Sequence, residues 1–482
     1  MNAILKPAPV QADDAVEIER MRRLFERQRS AFIAAPYPEL AARKAKLRKL
    51  IDSLRRHQNA IVAAVNADFG VRAGAETKLV EVMGPILEAR HALSHMGRWM
   101  KPRRRSTELL FMTNSAWVVY QPKGVVGIIG TWNFPLYLTI GPLVAALAAG
   151  NRAMIKFSEF SPRSTALVSQ LLAECFDEDE VAVFGGAIEA AQAFNGLPFN
   201  HLVFTGSPAI GRHVMRAAAE NLTPVTLELG GKSPAIIGPD ANLRDAAKRI
   251  AHGKAFNAGQ ICVAPDYALV PRGKSADFVA AVRESFGKLY PTAIGNPEYT
   301  SIITERHAAR LRQLLDDAQA KGATLHACGD VTVAGRQMPL TVATGVNDSM
   351  LLMQEEIFGP ILPVLEYERL EDAMAVVQRG ERPLSLYGFG LGAADEERVL
   401  KGTHAGGVTL NDWGWHVFQH DMPFGGIGNS GMGTYHGEEG FRELSHAKAV
   451  FKRHRWFPIG LFYPPYGNLV QRLSMRFYLG KH

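Results

Sequence analysis

The stretch His201-Leu202-Val203-Phe204-Thr205-Gly206-Ser207-Pro208-Ala209-Ile210-Gly211 holds the strand-to-helix transition on which the fold turns. His201 to Thr205 reads as a short strand, and Ser207 followed by Pro208 is the pattern of an N-cap with proline at the first helical position. Gly206 permits the tight turn between them. A helix that starts there presents free amides and the positive end of its dipole, a site suited to an anion such as a dinucleotide pyrophosphate. An ordinary well-capped helix fits the same residues, and the G-x-G-x-x-G fingerprint is absent.

Outward from this junction the chain alternates strand and helix. Val125 to Ile129, Ala153 to Lys156 and Val181 to Phe184 read as strands, separated by one helix ending at Ala149 and another from near Ser164 to Phe176. That alternation is the signature of a parallel sheet with helices on its faces. Such sheets bind ligands at the carboxyl ends of their strands. Upstream, residues 16 to 65 have the period of one or two long amphipathic helices, and Glu76 to Met100 gives another. Leu109 to Tyr120 carries two β-rich runs around Thr113-Asn114-Ser115, the pattern of a hairpin in a small β extension. Beyond Pro234 a second alternation begins, with strands at Ala235 to Ile237, Tyr267 to Val270, Ile361 to Val364 and Gly406 to Leu410. Helices precede Cys262 and span Ser275 to Leu289 and Arg306 to Lys321, so a second α/β domain is expected.

The 482 residues, 47% hydrophobic and 21% charged, suffice for two or three domains with full cores. Cys175, Cys262 and Cys328, odd in number and far apart, argue against a disulfide framework and for a reducing compartment, the cytoplasm. The excess of 54 Lys and Arg over 47 Asp and Glu gives a net charge of +7. Much of it lies in Arg43 to Arg56 and Lys101 to Arg105. Neither cluster interleaves stacking aromatics, so solvated surface is favoured over nucleic-acid binding. The residues from Met1 lack the apolar core of a secretory signal. Gly124 to Asn151 is 28 residues without Asp, Glu, Lys or Arg, long enough for a membrane span. Asn133 and Pro135 break it, and a strand, a loop and a buried helix describe it better.

Candidate chemistry concentrates in a few segments. In Phe256-Asn257-Ala258-Gly259-Gln260-Ile261-Cys262-Val263-Ala264-Pro265 the cysteine sits on a short connection between helix and strand, open to a substrate. The competing reading of any single cysteine is a small buried hydrophobe. Val225 to Leu229 alternates, with Glu228 opposite Val225, Leu227 and Leu229 and directly before Gly230-Gly231. A general base there competes with a carboxylate on a solvated strand face. Gln354 to Pro360 puts a carboxylate before a sharp turn, and Met422 to Gly433 is a glycine-rich loop able to approach a ligand. His416 and His420 have the spacing of two metal ligands, but Trp413-Gly414-Trp415 disfavours a helix and no third ligand accompanies them. No metal site is expected.

Taken together, Trp132-Asn133-Phe134-Pro135, Lys156-Phe157-Ser158-Glu159, Phe204-Thr205-Gly206-Ser207, Leu227-Glu228-Leu229-Gly230-Gly231-Lys232, Gly259-Gln260-Ile261-Cys262, Glu355-Glu356-Ile357-Phe358-Gly359-Pro360 and Pro423-Phe424-Gly425-Gly426 resemble the NAD(P)-dependent aldehyde dehydrogenases. They stand in the family's order from about Lys123 to Gly433. Cys262 to Tyr267 and the ending, Gly437 to Ala449 and Pro464-Pro465-Tyr466-Gly467, look like the class 3 branch, especially bacterial coniferyl aldehyde dehydrogenases.

The resemblance implies an α/β fold of three parts. These are a Rossmann-like NAD-binding domain at residues 1–105 and 122–229, an α/β catalytic domain at 230–410, and a small β oligomerisation extension with the C-terminal tail at 106–121 and 411–482, joining a homodimer. It implies oxidation of an aldehyde to the carboxylic acid through a Cys262 thiohemiacetal and thioester. Asn133 and the Cys262 amide would hold the oxyanion, and Glu228 would activate water. A thiol of ordinary pKa, about 8.5, is a few per cent ionised near neutrality. Lys156 and Glu159 would bind the adenosine ribose, Gly206 and Ser207 the pyrophosphate, and Glu356 with Phe358 the nicotinamide ribose side. Gly211 and Trp132 belong to the same cofactor set. Glu159 accepts from a 2′-hydroxyl and repels a 2′-phosphate, so NAD is expected with weaker NADP use.

Thr131, Phe157, Pro208 and Ile261 depart from the usual family residues without removing a reacting group. Trp413, Trp415 and Phe418 suit a hydrophobic or aromatic aldehyde, such as coniferaldehyde or a medium- to long-chain one, or else subunit packing. The tail, with Phe451 to Trp456 and then Leu469, Arg472, Leu473, Arg476 and Phe477, suits weak peripheral membrane contact or packing on protein. A catalytically idle homologue and a cofactor-independent cysteine esterase are the rival readings.

Overall fold

The computed structural model describes residues 14–329, 335–457 and 459–480; the opening segment, where no secretory signal is expected, lies outside them. The chain forms two compact units. One comprises the residues up to Trp99 with Pro122–Ser445, the other Met100–Gln121 with the residues from His446.

The larger unit holds both expected α/β sheets. The first runs Gly431–Met432, Val225–Leu229, His201–Gly206, Val125–Ile129, Arg152–Lys156, Val181–Phe184. All its pairings are parallel except that of Gly431–Met432. The second runs Thr324–Ala327, Thr341–Thr344, Ile361–Tyr367, Tyr267–Pro271, Pro234–Ile237, Ser385–Phe389, Gly407–Leu410. There only Thr324–Ala327 is antiparallel. Helices cover these strands, so Val125, Val126, Ile128, Ala153, Met154 and Ile155 are all buried and read as continuous apolar runs.

The junction at Gly206 forms as expected. Ser207 caps helix Pro208–Ala219, its hydroxyl accepting from the Ile210 N–H at 3.4 Å. The charge-free stretch resolves into strand Val125–Ile129, a loop, and helix Tyr137–Ala149, every residue of which is buried. No helix among the described residues is long and apolar enough to cross a membrane.

Two local expectations are corrected. Residues 16 to 65 fall on three helices, Asp14–Ala34, Leu40–Arg56 and Gln58–Phe69, because Pro36 and Pro38 separate the first two and His57 alone separates the others. The hairpin expected at Leu109 to Tyr120 is absent. Leu109–Phe111 is a single 3₁₀ turn, and strand Ser115–Pro122 takes Arg103–Arg105 as its antiparallel neighbour instead. Ser445–Lys452 completes that three-stranded sheet. The smaller unit also carries helix Leu469–Leu479, capped by Asn468, with Leu469, Leu473 and Phe477 exposed.

Candidate functional site

The cysteine loop is built from conformations that an ordinary chain avoids. Helix Leu243–Ala255 is capped at its start by Asn242 and gives way to a turn over Phe256–Gly259. There Asn257 (φ 49°), Ala258 (φ 50°) and Gly259 (φ 71°) are all left-handed. That region costs a residue with a side chain about 1–2 kcal/mol, less for asparagine. Buried amides hold the shape. Asn257 Nδ2 donates to the carbonyls of Asn133 (3.2 Å) and Gln260 (3.1 Å). Gln260 Nε2 donates to the carbonyls of Asn257 (2.9 Å) and Ser301 (3.2 Å), and its Oε1 accepts from the Ile303 N–H at 3.0 Å. A side chain at Gly259 would collide with the Gly359 main chain. Ile261 and Val263 are buried on either side, while Cys262 between them keeps partial exposure. The thiol is therefore presented rather than merely packed.

Glu228 faces the same space. It is 1% exposed, which removes the reading of a solvated strand face. Gly431–Met432 pairs on the outer edge of strand Val225–Leu229, with Gly431 opposite Glu228. A side chain at Gly431 would strike the Leu227 carbonyl. The glycines at Gly426 and Gly431 thus serve close chain packing. Neither Glu228 oxygen makes a full hydrogen bond. Burial pushes the carboxyl up to about 7, partly offset by the Cys262 thiol and the Thr205 hydroxyl. Burial, followed by the Glu228 charge, in turn holds the Cys262 thiol well above its usual range. Burial thus works against the few per cent of thiolate expected of an ordinary thiol.

Asn133 lies across the site, 1% exposed, with Nδ2 donating to the Gln260 carbonyl at 3.1 Å. One N–H remains for a ligand. Its placement comes from a buried layer that sequence reading missed. Arg72, fully buried, donates to the Asn133 carbonyl (3.0 Å) and to Glu81 (3.1 Å), and Glu81 accepts from the Leu136 and Tyr137 amides. Arg72 lies in the short loop before Gly74 and Glu81 on a stretch read as helical, where each looks like a surface charge, so no local signal could single them out.

The cofactor candidates gather at the carboxyl ends of the first sheet. Lys156 is buried, and its Nζ donates to the carbonyls of Phe157 (2.7 Å) and Gly186 (2.8 Å), leaving one N–H. Glu159 is exposed three residues on. Gly206 and Ser207 occupy the helix start. Gly211 faces the other way: a side chain there would meet Leu229, so this glycine lets the helix sit close on the sheet. Trp132 and Phe358 meet edge to face at 5.4 Å, with Phe358 left-handed at φ 51°. The Glu356 carboxylate fills the space that a side chain at Gly230 would need. Burial, and then Asp266, raise it to about 8. Lys232, quoted in the motif but given no role, anchors this corner by donating to Asp266 (2.5 Å) and to the carbonyls of Leu352 and Glu355. A cleft of about 440 Å³ opens between Pro208, Gly231, Lys232, Glu356 and Pro383. A helix start with free amides, a lysine donor and two carboxylates fit the pyrophosphate and ribose hydroxyls of a dinucleotide.

His416 is a core histidine, bonded to Ser385 (3.1 Å) and Thr409 (2.7 Å). No group of side chains among the described residues could hold a metal ion. Trp413 and Phe418 pack beside Cys262 with Phe256, Val417 and Phe424, making one wall of the site aromatic and apolar.

Residues 9–450 match the aldehyde dehydrogenase family. The chain is 52% identical to the probable coniferyl aldehyde dehydrogenase of Pseudomonas aeruginosa over 96% of its own length and 97% of that protein. It is 42% identical to the coniferyl aldehyde dehydrogenase of a Pseudomonas species, covering 97% of each. Among solved structures it is similar to substrate-bound AldH of Staphylococcus aureus, with a TM-score of 0.90 and 34% identity over 95% of this chain and 99% of that one. It is also similar to a betaine aldehyde dehydrogenase variant of Staphylococcus aureus in complex with NAD+, with a TM-score of 0.80 and 27% identity over 90% and 89%.

Proposed function

Because the chain belongs to the aldehyde dehydrogenase family, we propose that Cys262, Asn133 and Glu228 divide its chemistry among them. The protein oxidises an aldehyde to the carboxylic acid with NAD(P)+ through an active-site cysteine. The observation that carries the residue assignment is the buried, hydrogen-bond-poor Glu228 carboxylate facing a thiol presented on a locked loop.

The sulfur of Cys262 attacks the aldehyde carbon as Glu228 takes its proton, since burial and the neighbouring carboxylate leave little free thiolate. The free N–H of Asn133 and the Cys262 amide receive the oxyanion, a contribution worth about 3 kcal/mol per donor. NAD+, when bound, accepts the hydride that leaves this carbon. Once it has given up the thiol proton, Glu228 deprotonates water for attack on the Cys262 thioester; the C–O bond forms, the C–S bond breaks, the sulfur takes that proton from Glu228, and the acid departs. Glu159 and Glu356 would hold ribose hydroxyls and the start of helix Pro208–Ala219 the pyrophosphate, with Lys156 fixing the Phe157 and Gly186 carbonyls beside them. Trp132 and Phe358 would flank the nicotinamide side. Gly211 acts indirectly, by letting that helix reach the sheet. Glu159 favours NAD over NADP.

The aromatic wall of Phe256, Trp413 and Phe418 supports a hydrophobic or aromatic aldehyde. The relatives named for coniferyl aldehyde point the same way. The three-stranded unit supports a homodimer, and three free cysteines support a cytoplasmic location. Exposed Leu469, Leu473 and Phe477 leave weak membrane contact as a property for liposome co-sedimentation to test. The assay of function is NADH formation across short aliphatic, long aliphatic, benzylic and hydroxycinnamyl aldehydes. Wild type forms NADH with the bulky aromatic members and Cys262→Ala with none; NADH formation by Cys262→Ala defeats the assignment.

A further inference from the structure

Behind the reacting pair lies a seam of polar side chains that the mechanism above does not use. Glu88 (3% exposed), Tyr137 (4%), Tyr435 (1%) and His436 (0%) are all buried. Both oxygens of Glu88, both ring nitrogens of His436 and both tyrosine hydroxyls lack a hydrogen-bond partner among the described residues. Left dry, each such group costs about 1–3 kcal/mol, so the seam is a place for water and mobile protons rather than for apolar packing.

Its order in space is continuous. Tyr435 and Tyr137 belong to the cluster against which Cys262 packs, the Tyr435 ring lies 4.7 Å from that of His436, and Tyr435 and Glu88 both border Gly141. Glu88 Oε2 is 4.0 Å from His436 Nε2, a gap that a small side-chain rotation closes. The His436 and His420 rings lie 6.4 Å apart, as do His420 and His91. His91 Nε2 is 3.4 Å from Asp421, which is 72% exposed. The seam therefore begins beside Cys262 and ends in solvent.

We propose that Tyr435, Glu88 and His436 relay the proton that Glu228 takes from the Cys262 thiol, through His420 and His91, to solvent at Asp421. The inference rests on the assignment of Glu228 as the base. Acylation leaves the thiol proton on Glu228, which must lose it before it can take a second proton from water; that second proton goes to sulfur with the electron pair of the broken C–S bond, and nothing in the relay is oxidised or reduced. Glu228 returns to its basic form only when that proton leaves. Glu88 suits the task because burial raises its carboxyl to about 8, so near neutrality it holds one proton and offers a free oxygen to the next. The groups facing it are Tyr137 from helix Tyr137–Ala149 and Tyr435 and His436 before helix Gly437–Glu443. Arg43, on the packed helix Leu40–Arg56, is tied to main-chain carbonyls, and Arg98 and Arg442 pair with Glu438. Burial holds His436 down to about 3, so it passes protons as a neutral ring.

The test uses p-nitrophenyl acetate, which acylates the thiol without cofactor and separates a burst from steady deacylation. Glu88→Gln and Tyr435→Phe keep the burst amplitude and lose about tenfold or more in steady turnover, restored by added imidazole or formate. Tyr435→Phe removes only an unbonded hydroxyl, so it stays informative where Glu88→Gln misfolds. Unchanged steady turnover in Tyr435→Phe overturns the relay. A loss that small acids do not rescue, paired with a raised KM confined to hydroxylated aromatic aldehydes, overturns it in favour of a substrate-hydroxyl pocket. Absence of a burst in wild type defeats the Cys262 and Glu228 assignment instead.

Discussion

Glu228 offers the prediction with the most structure behind it. Burial holds its carboxyl near 7 in place of its ordinary 4.5. A base acts in its ionised form, so the working fraction rises from about 0.1 at pH 6 to about 0.9 at pH 8, close to a tenfold gain. A solvated glutamate is fully ionised throughout that range and gives no gain. The same burial bears on stability, with the opposite sign. The folded state keeps a proton that the unfolded chain has released, so stability is greatest below about pH 4.5, falls as pH rises through about 7, and stays low above. The raise corresponds to roughly 3 kcal/mol. Glu228→Gln keeps the shape without the charge, and its melting temperature should exceed wild type at pH 8 and converge with it at about pH 4. The assay is steady-state deacylation of p-nitrophenyl acetate followed at the isosbestic wavelength of the product, beside thermal unfolding of both proteins. A wild-type rate flat from pH 6 to 8, or a Glu228→Gln protein no more stable than wild type at pH 8, refutes the reasoning.

Removing the Asn133 amide with Asn133→Ala should lower kcat about 10²- to 10³-fold with KM little changed, measured by steady-state NADH formation; a loss confined to KM counts against an oxyanion role. Gly230→Ala drives a methyl group into the Glu356 carboxylate, so titration of intrinsic fluorescence with NADH should show binding weakened about tenfold or more, and unaltered affinity removes Glu356 from the cofactor site. Asn257→Ala deletes two buried hydrogen bonds and a residue tolerant of left-handed φ. It should cost about 2–4 kcal/mol by chemical denaturation, a value below about 1 showing that the loop holds itself. Trp413→Ala opens the aromatic wall beside Cys262 and should shift kcat/KM from bulky toward short aldehydes, where an unchanged ratio assigns Trp413 to packing alone.

Much of this protein was legible in one dimension because the decisive signals are local. A buried strand, a glycine turn, a serine cap and a following proline lie within one junction at Phe204 to Pro208, and the alternation of strand and helix on either side of it sets two α/β sheets. The cysteine announced itself by standing on a connection between helix and strand. Tertiary structure decided the rest, and the reason is the same in each case: burial and partnership are properties of segments distant in sequence. The Leu109 run reads as half of a hairpin, yet strand Ser115–Pro122 finds its neighbours in Arg103–Arg105 and Ser445–Lys452. Glu228 alternates in sequence like a residue on a half-exposed strand, and only folding buries it. Arg72 and Glu81 look like surface charges, and only folding buries them behind Asn133. The sequence by itself determined which chemical groups are present and in what order; the fold decided which of them lose water, and loss of water is what raises Glu228 and Cys262 together.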